Sequence, residues 1–278
     1  MKITRPRCSR VFVNAATAML LVLVPLPALA QQASLDELLA RTSRQVSAFV
    51  DEFSSVKCTE RVTQEKLGKE AKVERRADST FDYLVILTNT GGELSLDESR
   101  LDESRLAIDD AKHPKKDKKQ ATPLLISNGF ATLFLIFHPY YTGSFHFTEA
   151  GQEDINGRTL VKVRFEHIRN TRSVAALAVR GREYPLDLRG TAWIEPGTGR
   201  LAKISAGIDQ GVEDIGMKSL RSEVEFAPVR FGTAESPSWF PARAMVEVET
   251  ERQHWRNTHV FTDYKQFSVS TEEQVAKQ

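Results

Sequence analysis

Histidines, which are common metal ligands, are few and widely spaced in this sequence. The chain has six histidines, and its closest pair, His254 and His259, is five residues apart. Residues an odd number apart point to opposite faces of a strand, so these two would need a tight turn between them to share a metal ion. The spacing therefore predicts no metal site.

Motifs of the common catalytic and cofactor-binding classes are also absent from the sequence. There is no G-x-S-x-G turn for a nucleophilic serine, no H-E-x-x-H or C-x-x-C pair for zinc and no glycine-rich phosphate loop. Carboxylates are plentiful, but most alternate with apolar residues, as they do on the solvent face of a strand. We therefore predict a protein that is not an enzyme and needs no cofactor, with an exported hydrolase as the alternative.

Cysteine chemistry rests on two residues, of which Cys8 belongs to the N-terminal segment described below. If that segment is removed, Cys58 is left without an intrachain partner and no disulfide can form. We predict that Cys58 is a small buried apolar residue. A reactive thiol or an intermolecular link is the alternative.

The positive signal is a concentration of apolar and aromatic side chains around one short segment, Leu124–Phe137. Fourteen residues are too few for a helix that crosses a bilayer, and Pro139 ends the segment because proline lacks an amide hydrogen. We predict a plug that lies in or over an apolar groove. The residues expected to line the groove or form the plug are Phe130, Leu133, Phe134, Phe137, Tyr140, Tyr141 and Trp193. The alternative is that these side chains form an ordinary core beneath a sheet.

An amphipathic helix is predicted at Leu35–Phe53, where apolar residues recur at helical spacing. The preceding Ser34 and the following Glu37 form a capping box, which satisfies free amide groups at the start of the helix. Such a helix needs a sheet against which its apolar face can pack.

Short segments with strand periodicity fill most of the rest of the chain. The clearest are Arg158–Ile168, Thr191–Glu195, Arg200–Ile204, Leu220–Phe226, Ala244–Thr250 and His259–Val269, preceded by Ser55–Gln64 and Val73–Leu87. Asn156-Gly157 is a strong two-residue hairpin signal, and Pro196–Gly199 predicts a second hairpin. The fold class is therefore mainly β (α+β), with a single curved antiparallel sheet that forms an unclosed barrel and an apolar plug helix on its concave side.

The first thirty residues have the features of a cleaved signal peptide: basic residues, then the apolar stretch Ala15–Pro27, then the small-x-small sequence at Ala28–Ala30. An uncleaved N-terminal anchor is the alternative. We predict export to the periplasm of a Gram-negative-type envelope and a single domain over residues 31–278.

A charged insertion is predicted at about residues 93–121, ending in the lysine-rich stretch 112–119. We expect a solvated loop, although lysines at this density could also contact anionic lipid head groups. The formal net charge of the chain is +1, which gives no electrostatic reason to predict nucleic acid as a partner.

One hairpin resembles a known family. Gly190 to Leu201 read G-T-A-W-I-E-P-G-T-G-R-L, which is similar to the G-x-x-W-[IV]-[DE]-P-x-T-G-x-hydrophobic hairpin of the lipoprotein-carrier superfamily, and the closing strand Thr258–Val269 is similar as well. That group includes the periplasmic lipoprotein chaperone, its outer-membrane receptor and the periplasmic sensor that restrains an anti-sigma factor. The resemblance implies an unclosed antiparallel barrel with helices that plug its concave side.

Together, these features predict a non-enzymatic binder of lipid or lipidated protein. A second hypothesis is a protein-interaction or envelope-sensor module whose groove is permanently filled and whose partner is a periplasmic or membrane-anchored protein.

Overall fold

The computed structural model describes residues 34–90, 93–102, 130–179, 182–208, 210–212, 216–232 and 236–267. The predicted signal peptide, the lysine-rich stretch and the first part of the apolar segment lie outside the described residues.

Helix α1 has the predicted bounds, Leu35–Phe53. Its N-cap is Ser34, whose hydroxyl accepts a hydrogen bond from the Glu37 amide at 3.3 Å. The face that packs on the sheet is a stripe of buried residues, namely Leu38, Thr42, Val46, Val50 and Phe53. The helix therefore forms for the reason the sequence indicates, which is a local cap followed by one apolar face.

Twelve strands occur among the described residues. They are β1 (Val56–Leu67), β2 (Val73–Thr90), β3 (Glu93–Asp102), β4 (Phe145–Ile155), β5 (Arg158–His167), β6 (Ala176–Val179), β7 (Arg182–Pro185), β8 (Leu188–Ile194), β9 (Leu201–Ile208), β10 (Met217–Val229), β11 (Ser238–Thr250) and β12 (His254–Gln266). The other elements of the described residues are two 3₁₀ helices, Lys69–Ala71 and Phe130–Phe137, and a short helix α2 (Pro139–Thr142).

Ten of these strands form one antiparallel sheet in the order β3-β2-β1-β12-β11-β10-β9-β8-β5-β4, while β6 and β7 form a separate pair. The β4–β5 turn is the predicted one, because Asn156 and Gly157 both have positive φ, at 52° and 74°. The first and last strands of the chain, β1 and β12, pair in the middle of the sheet.

The structure describes only the first part of the predicted insertion at about 93–121. Its first ten residues form β3, an edge strand that pairs with β2 along its whole length. Sequence patterning indicates a solvated segment there because β3 is rich in charged residues. However, Glu98 and Arg100 form an ion pair with each other and are largely covered. Ala176–Val179, which is not among the strands predicted above, forms the short strand β6.

The sheet bends around the 3₁₀ helix Phe130–Phe137, which we call the plug segment. The plug segment contacts the edge strand β3 as well as β9, β10 and β11, and its Phe137 ring lies 5.3 Å from that of Phe147 on the opposite edge strand, β4. In a flat sheet those two edges would be about 43 Å apart, whereas eight residues of 3₁₀ helix span about 16 Å. One short element can touch both edges only if the sheet is strongly curved. The predicted unclosed barrel with an apolar plug is therefore confirmed.

None of the described helices is both long enough and apolar enough to cross a membrane.

Candidate functional site

The plug segment lies at the centre of the concave face. Five consecutive residues, Leu133–Phe137, are at most 4 % exposed. The Phe134 ring packs edge-on against Phe49 of α1 at 4.7 Å, and Phe137 packs edge-on against Phe165 of β5 at 6.2 Å. Three predicted site residues, Leu133, Phe134 and Phe137, are therefore brought together between α1 and the sheet. The side chain of the fourth, Phe130, lies outside the described residues.

The two predicted tyrosines follow the plug segment on α2. The Tyr141 hydroxyl donates to the carbonyl of Leu94 on β3 at 3.0 Å, which ties α2 to one edge of the sheet. Tyr140 lies nearer the surface, where the Arg172 guanidinium is 3.7 Å from its ring centroid and also donates to its carbonyl at 3.0 Å. Both tyrosines therefore anchor the C-terminal end of the plug segment.

His138 joins the plug segment to α2 and caps the helix, since its Nδ1 accepts from the Tyr140 amide at 3.2 Å. Partial burial lowers the pKa of His138, against an opposing effect of Asp51. The neutral imidazole that the cap requires is therefore favoured.

Trp193 is not brought together with the other predicted residues. In β8 its neighbours Ala192 and Ile194 are fully buried, so Trp193 points to the opposite, outer face of the sheet. There its indole N–H donates to Glu153 at 3.0 Å and the Lys203 ammonium lies 5.1 Å from its ring centroid. Trp193 lines a polar groove of about 820 Å³ on the outer face, and its inclusion in the apolar groove is corrected.

A smaller cavity of about 230 Å³ lies between α1, the plug segment and the ends of β9 to β11. The residues that line it are Gln45, Val46, Ala48, Phe49, Glu52, Phe134, Arg200, Leu201, Phe226, Ser236, Pro237, Ser238 and Trp239. Its α1 contribution is one face of the helix, because residues 45, 48, 49 and 52 are three or four apart. The cavity is larger than the roughly 150 Å³ apolar cavity known to bind benzene and smaller than the 300 Å³ or so of a typical ligand pocket.

The cavity has an apolar floor and a polar rim. Val46 and Phe134 of the floor are buried, and the Phe49 ring meets Phe226 edge-on at 6.2 Å. At the rim, the Ser238 hydroxyl donates to the Glu52 carboxylate. Such a cavity can accept an apolar group at its floor and a polar group at its mouth.

A buried charged cluster on β1, β3 and β12 was not predicted from the sequence. Glu60 is fully buried, and its carboxylate accepts from Arg100 Nε at 2.5 Å and from Arg100 Nη2 at 2.9 Å. His259 Nδ1 lies 2.7 Å from the same carboxylate. Burial acts to raise the pKa of Glu60, but hydrogen bonds and charge from His259 and Arg100 outweigh it and lower the pKa. A signal was available, because Glu60 interrupts the apolar face of β1 that Cys58 and Val62 continue.

Cys58, beside this cluster, is buried as predicted. Burial is the main cause that raises the pKa of its thiol to about 12. Among the residues that the structure describes, no group of three or more His, Cys, Asp or Glu side chains is placed to hold a metal ion.

No protein-family model and no curated protein matches the chain. Solved structures to which it is similar include a DUF1329 family protein from Desulfovibrio piger, with 9 % identity over 83 % of this chain and 92 % of the other and a TM-score of 0.41. Another is described as an outer membrane lipoprotein-sorting protein domain from Vibrio parahaemolyticus. It is 11 % identical over 84 % of this chain and 94 % of the other, with a TM-score of 0.39. A third is the MucA/MucB complex of Pseudomonas aeruginosa. The identity is 10 % over 82 % of this chain and 99 % of the matched chain, with a TM-score of 0.21. The described strands form the unclosed antiparallel sheet that the resemblance to the lipoprotein-carrier superfamily implies.

Proposed function

We propose that this protein is an exported, non-enzymatic binder of lipid or lipidated protein that acts in the periplasm. The proposal includes removal of residues 1–30 as a signal peptide and a single half-barrel domain in the rest of the chain. The observation that carries it is the contact of Phe134, a plug residue, with an apolar cavity that opens to the surface beside α1. An acyl chain that enters the cavity meets the plug segment directly.

The energies of plug and ligand are of similar size. Burial of the five side chains of Leu133–Phe137 contributes about 8–15 kcal/mol in total at the usual value for a large apolar side chain. An acyl chain of about 14 methylenes recovers roughly 11 kcal/mol when it is buried in their place. A 3₁₀ helix of eight residues also has poorer hydrogen-bond geometry than an α-helix, so displacement of the plug segment gives up little local structure. An exchange between plug and chain is therefore energetically balanced.

The test is lipid binding to the mature protein. Native mass spectrometry of protein purified from cells should show a co-purifying lipid, and an N-palmitoyl peptide should bind in a titration. Ala48→Trp fills the cavity from the exposed side of α1 and should weaken binding at least tenfold. The matched control is Ala40→Trp, on an exposed part of the same helix that does not line the cavity, and it should bind normally. A protein that is empty when purified and does not bind the acylated peptide contradicts the proposal.

The second candidate, an interaction or sensor module with a permanently filled groove, is favoured by the near-complete burial of Leu133–Phe137. Hydrogen exchange separates the two functions. In a carrier, amide exchange at Leu133–Phe137 accelerates when the N-palmitoyl peptide is added, because the plug segment leaves its place. In a filled module, those amides stay protected, and a periplasmic pull-down recovers a stable protein partner.

A further inference from the structure

The C-terminal end of the plug segment is held by a residue of the loop between β5 and β6. The Arg172 guanidinium lies 3.7 Å from the Tyr140 ring centroid and donates to the Tyr140 carbonyl at 3.0 Å. Tyr140 follows Phe137, the last residue of the plug segment, by only three positions. Displacement of the plug segment at this end therefore pulls against the contact with Arg172.

The main chain of Arg172 is in turn fixed by His167, the last residue of β5. His167 Nε2 lies 3.1 Å from the Arg172 carbonyl oxygen, and Nδ1 lies 2.9 Å from the Asp187 carboxylate. Only 2 % of the His167 side chain is exposed. A carbonyl and an ionised carboxylate can only accept hydrogen bonds, so both bonds exist together only when both ring nitrogens carry a proton. The surroundings of His167 therefore fit a charged imidazolium.

Loss of one proton changes the partner of Nε2. Nδ1 keeps its proton because it faces a carboxylate, and the lone pair of Nε2 then faces the Arg172 carbonyl oxygen with no hydrogen between them. A donor within reach of Nε2 is Thr171 Oγ1 at 3.3 Å, which in the structure donates to the Ile168 carbonyl at 2.5 Å. The neutral ring therefore favours a bond from Thr171, and the Arg172 carbonyl is released.

The groups that face His167 leave its own proton as the variable one. Asp187 faces it from the β7–β8 connection, and Arg169 Nε lies 3.7 Å from the second oxygen of Asp187. From β4, the neighbour is the Phe145 ring, whose centroid is 5.2 Å from that of the imidazole and which does not titrate. Histidine ordinarily changes charge between pH 5 and 8, whereas aspartate and arginine do not.

We propose that His167 is a proton-controlled latch for the plug segment: its imidazolium holds Arg172 against Tyr140, and loss of the proton releases Arg172 and loosens the plug segment. This inference rests on the proposed function and adds its regulation. An acyl chain that displaces the plug segment competes with a tighter latch in acid, so it binds more weakly at pH 5.5 than at pH 8. His138 acts in the opposite direction, because its protonation would remove the cap of α2.

The first measurement is hydrogen exchange at the Leu133–Phe137 amides of the ligand-free protein. Protection factors, which correct for the pH dependence of intrinsic exchange, should be roughly 3- to 10-fold higher at pH 5.5 than at pH 8, as expected for one hydrogen bond. His167→Gln does not take up a proton in this range and should show no such difference. A purely structural role of His167 predicts equal protection at the two pH values in the parent.

Arg172→Ala tests the contact with Tyr140 at an exposed position, where substitution leaves the core intact. At pH 5.5 its protection factors should fall at least to the level of the parent at pH 8, and they should change little with pH. The matched control is Arg164→Ala, an exposed arginine on the outer face of β5. It should keep the pH difference of the parent.

The second measurement is the affinity for an N-palmitoyl peptide that has no ionisable group. In the parent, the affinity should be roughly 3- to 10-fold higher at pH 8 than at pH 5.5. In His167→Gln and Arg172→Ala it should be the same at both pH values. Because the peptide itself does not titrate, any pH dependence of its binding belongs to the protein.

The outcomes separate this inference from the proposed function. If the peptide binds at neither pH, the proposed function is wrong, and the exchange data alone decide whether the latch exists. If the peptide binds but protection or affinity is the same at both pH values, or if the pH difference persists in Arg172→Ala, this inference is wrong while the function stands. A pH difference in both quantities that His167→Gln and Arg172→Ala abolish supports it.

Discussion

Glu60 is a carboxylate among the apolar residues of β1, and its charge is balanced by side chains from two other strands. Arg100 joins it from the edge strand β3, and His259 joins it from β12. Removing one partner of a buried ion pair costs more than the pair contributes, because the other charge is left buried without compensation. The cluster therefore holds the edge strand β3 to the centre of the sheet.

Glu60→Gln should lower the free energy of unfolding at pH 7 by about 3 kcal/mol, since Arg100 loses its main acceptor. The pH profile gives a second signature. In the folded state the pKa of Glu60 is lowered below the roughly 4.3 of a glutamate in an unfolded chain. The Glu60 carboxylate therefore contributes its full stabilisation above about pH 4.3. This stabilisation is lost as the pH falls through the lower pKa of the folded state. Urea unfolding at pH 7, 5, 4 and 3 should show the difference between parent and variant narrowing in acid.

The matched control is Glu65→Gln, which loses a more exposed ion pair to Arg256 on the outer face and should cost less than about 1 kcal/mol. The role of the cluster in holding β3 would be contradicted if the two substitutions lowered the free energy of unfolding equally. It would also be contradicted if the difference in that free energy between parent and Glu60→Gln stayed constant down to pH 3.

The place of some residues in the fold could be predicted from the sequence around them, and that of others could not. Phe134 was identified correctly as part of the plug segment because apolar density is a local signal. Trp193 was assigned to the wrong face, although its alternation with Ala192 and Ile194 already places it opposite the core. Trp239 and Arg200 carry no local signal, because their place beside one cavity depends on how three separate elements meet.

At the level of elements, the β8–β9 hairpin shows how closely neighbouring strands approach. A Cβ added at Gly190 would meet the carbonyl of Ser205 far inside contact distance and lie 2.8 Å from Phe165 Cζ. Backbone atoms of a paired strand cannot move aside as a flexible side chain can. Gly190 is therefore required by the packing of β8 against β9 and β5.

Gly190→Ala should consequently destabilise the protein by about 1–3 kcal/mol, the usual cost of overpacking. Gly197 lies in the turn of the same hairpin, and a Cβ there would meet nothing within 4 Å. Gly197→Ala is the matched control and should change stability by less than about 0.5 kcal/mol. Thermal unfolding of the two variants side by side measures the difference, and a tolerated Gly190→Ala would show that β8 can shift away from β9.

Elements were predicted well where their cause is local. The cap at Ser34 and the turn at Asn156-Gly157 act within a few residues, so α1 and the β4–β5 hairpin appeared at or near their observed bounds. Strand β3 was missed because Glu98 and Arg100 look like part of a solvated stretch when Glu60, the partner of Arg100 forty positions earlier, is not considered.

On the scale of the whole molecule, the sheet is joined by the pairing of its first and last strands, β1 and β12. Strand β12 lies between β1 and β11 and pairs with both, while most other neighbours in the sheet are consecutive in sequence. The hydrophobic pattern predicts strands but not this pairing, because any two strands with one apolar face are compatible. The open edges β3 and β4 both lie against the plug segment, so the shape of the sheet depends on that central pairing.

A chain that ends at Gln253 should therefore fail to fold. Without β12, strands β1 and β11 both lose a partner, and buried residues such as Phe261 and His259 are removed from the interior. We expect loss of near-ultraviolet circular dichroism and of a cooperative thermal transition. The control replaces residues 176–185, the separate β6–β7 pair, with a short Gly-Ser linker and should retain both signals, because that pair adds no strand to the ten-stranded sheet. A shortened chain that still unfolds cooperatively would show that the two halves of the sheet are stable independently and that β12 only fastens them together.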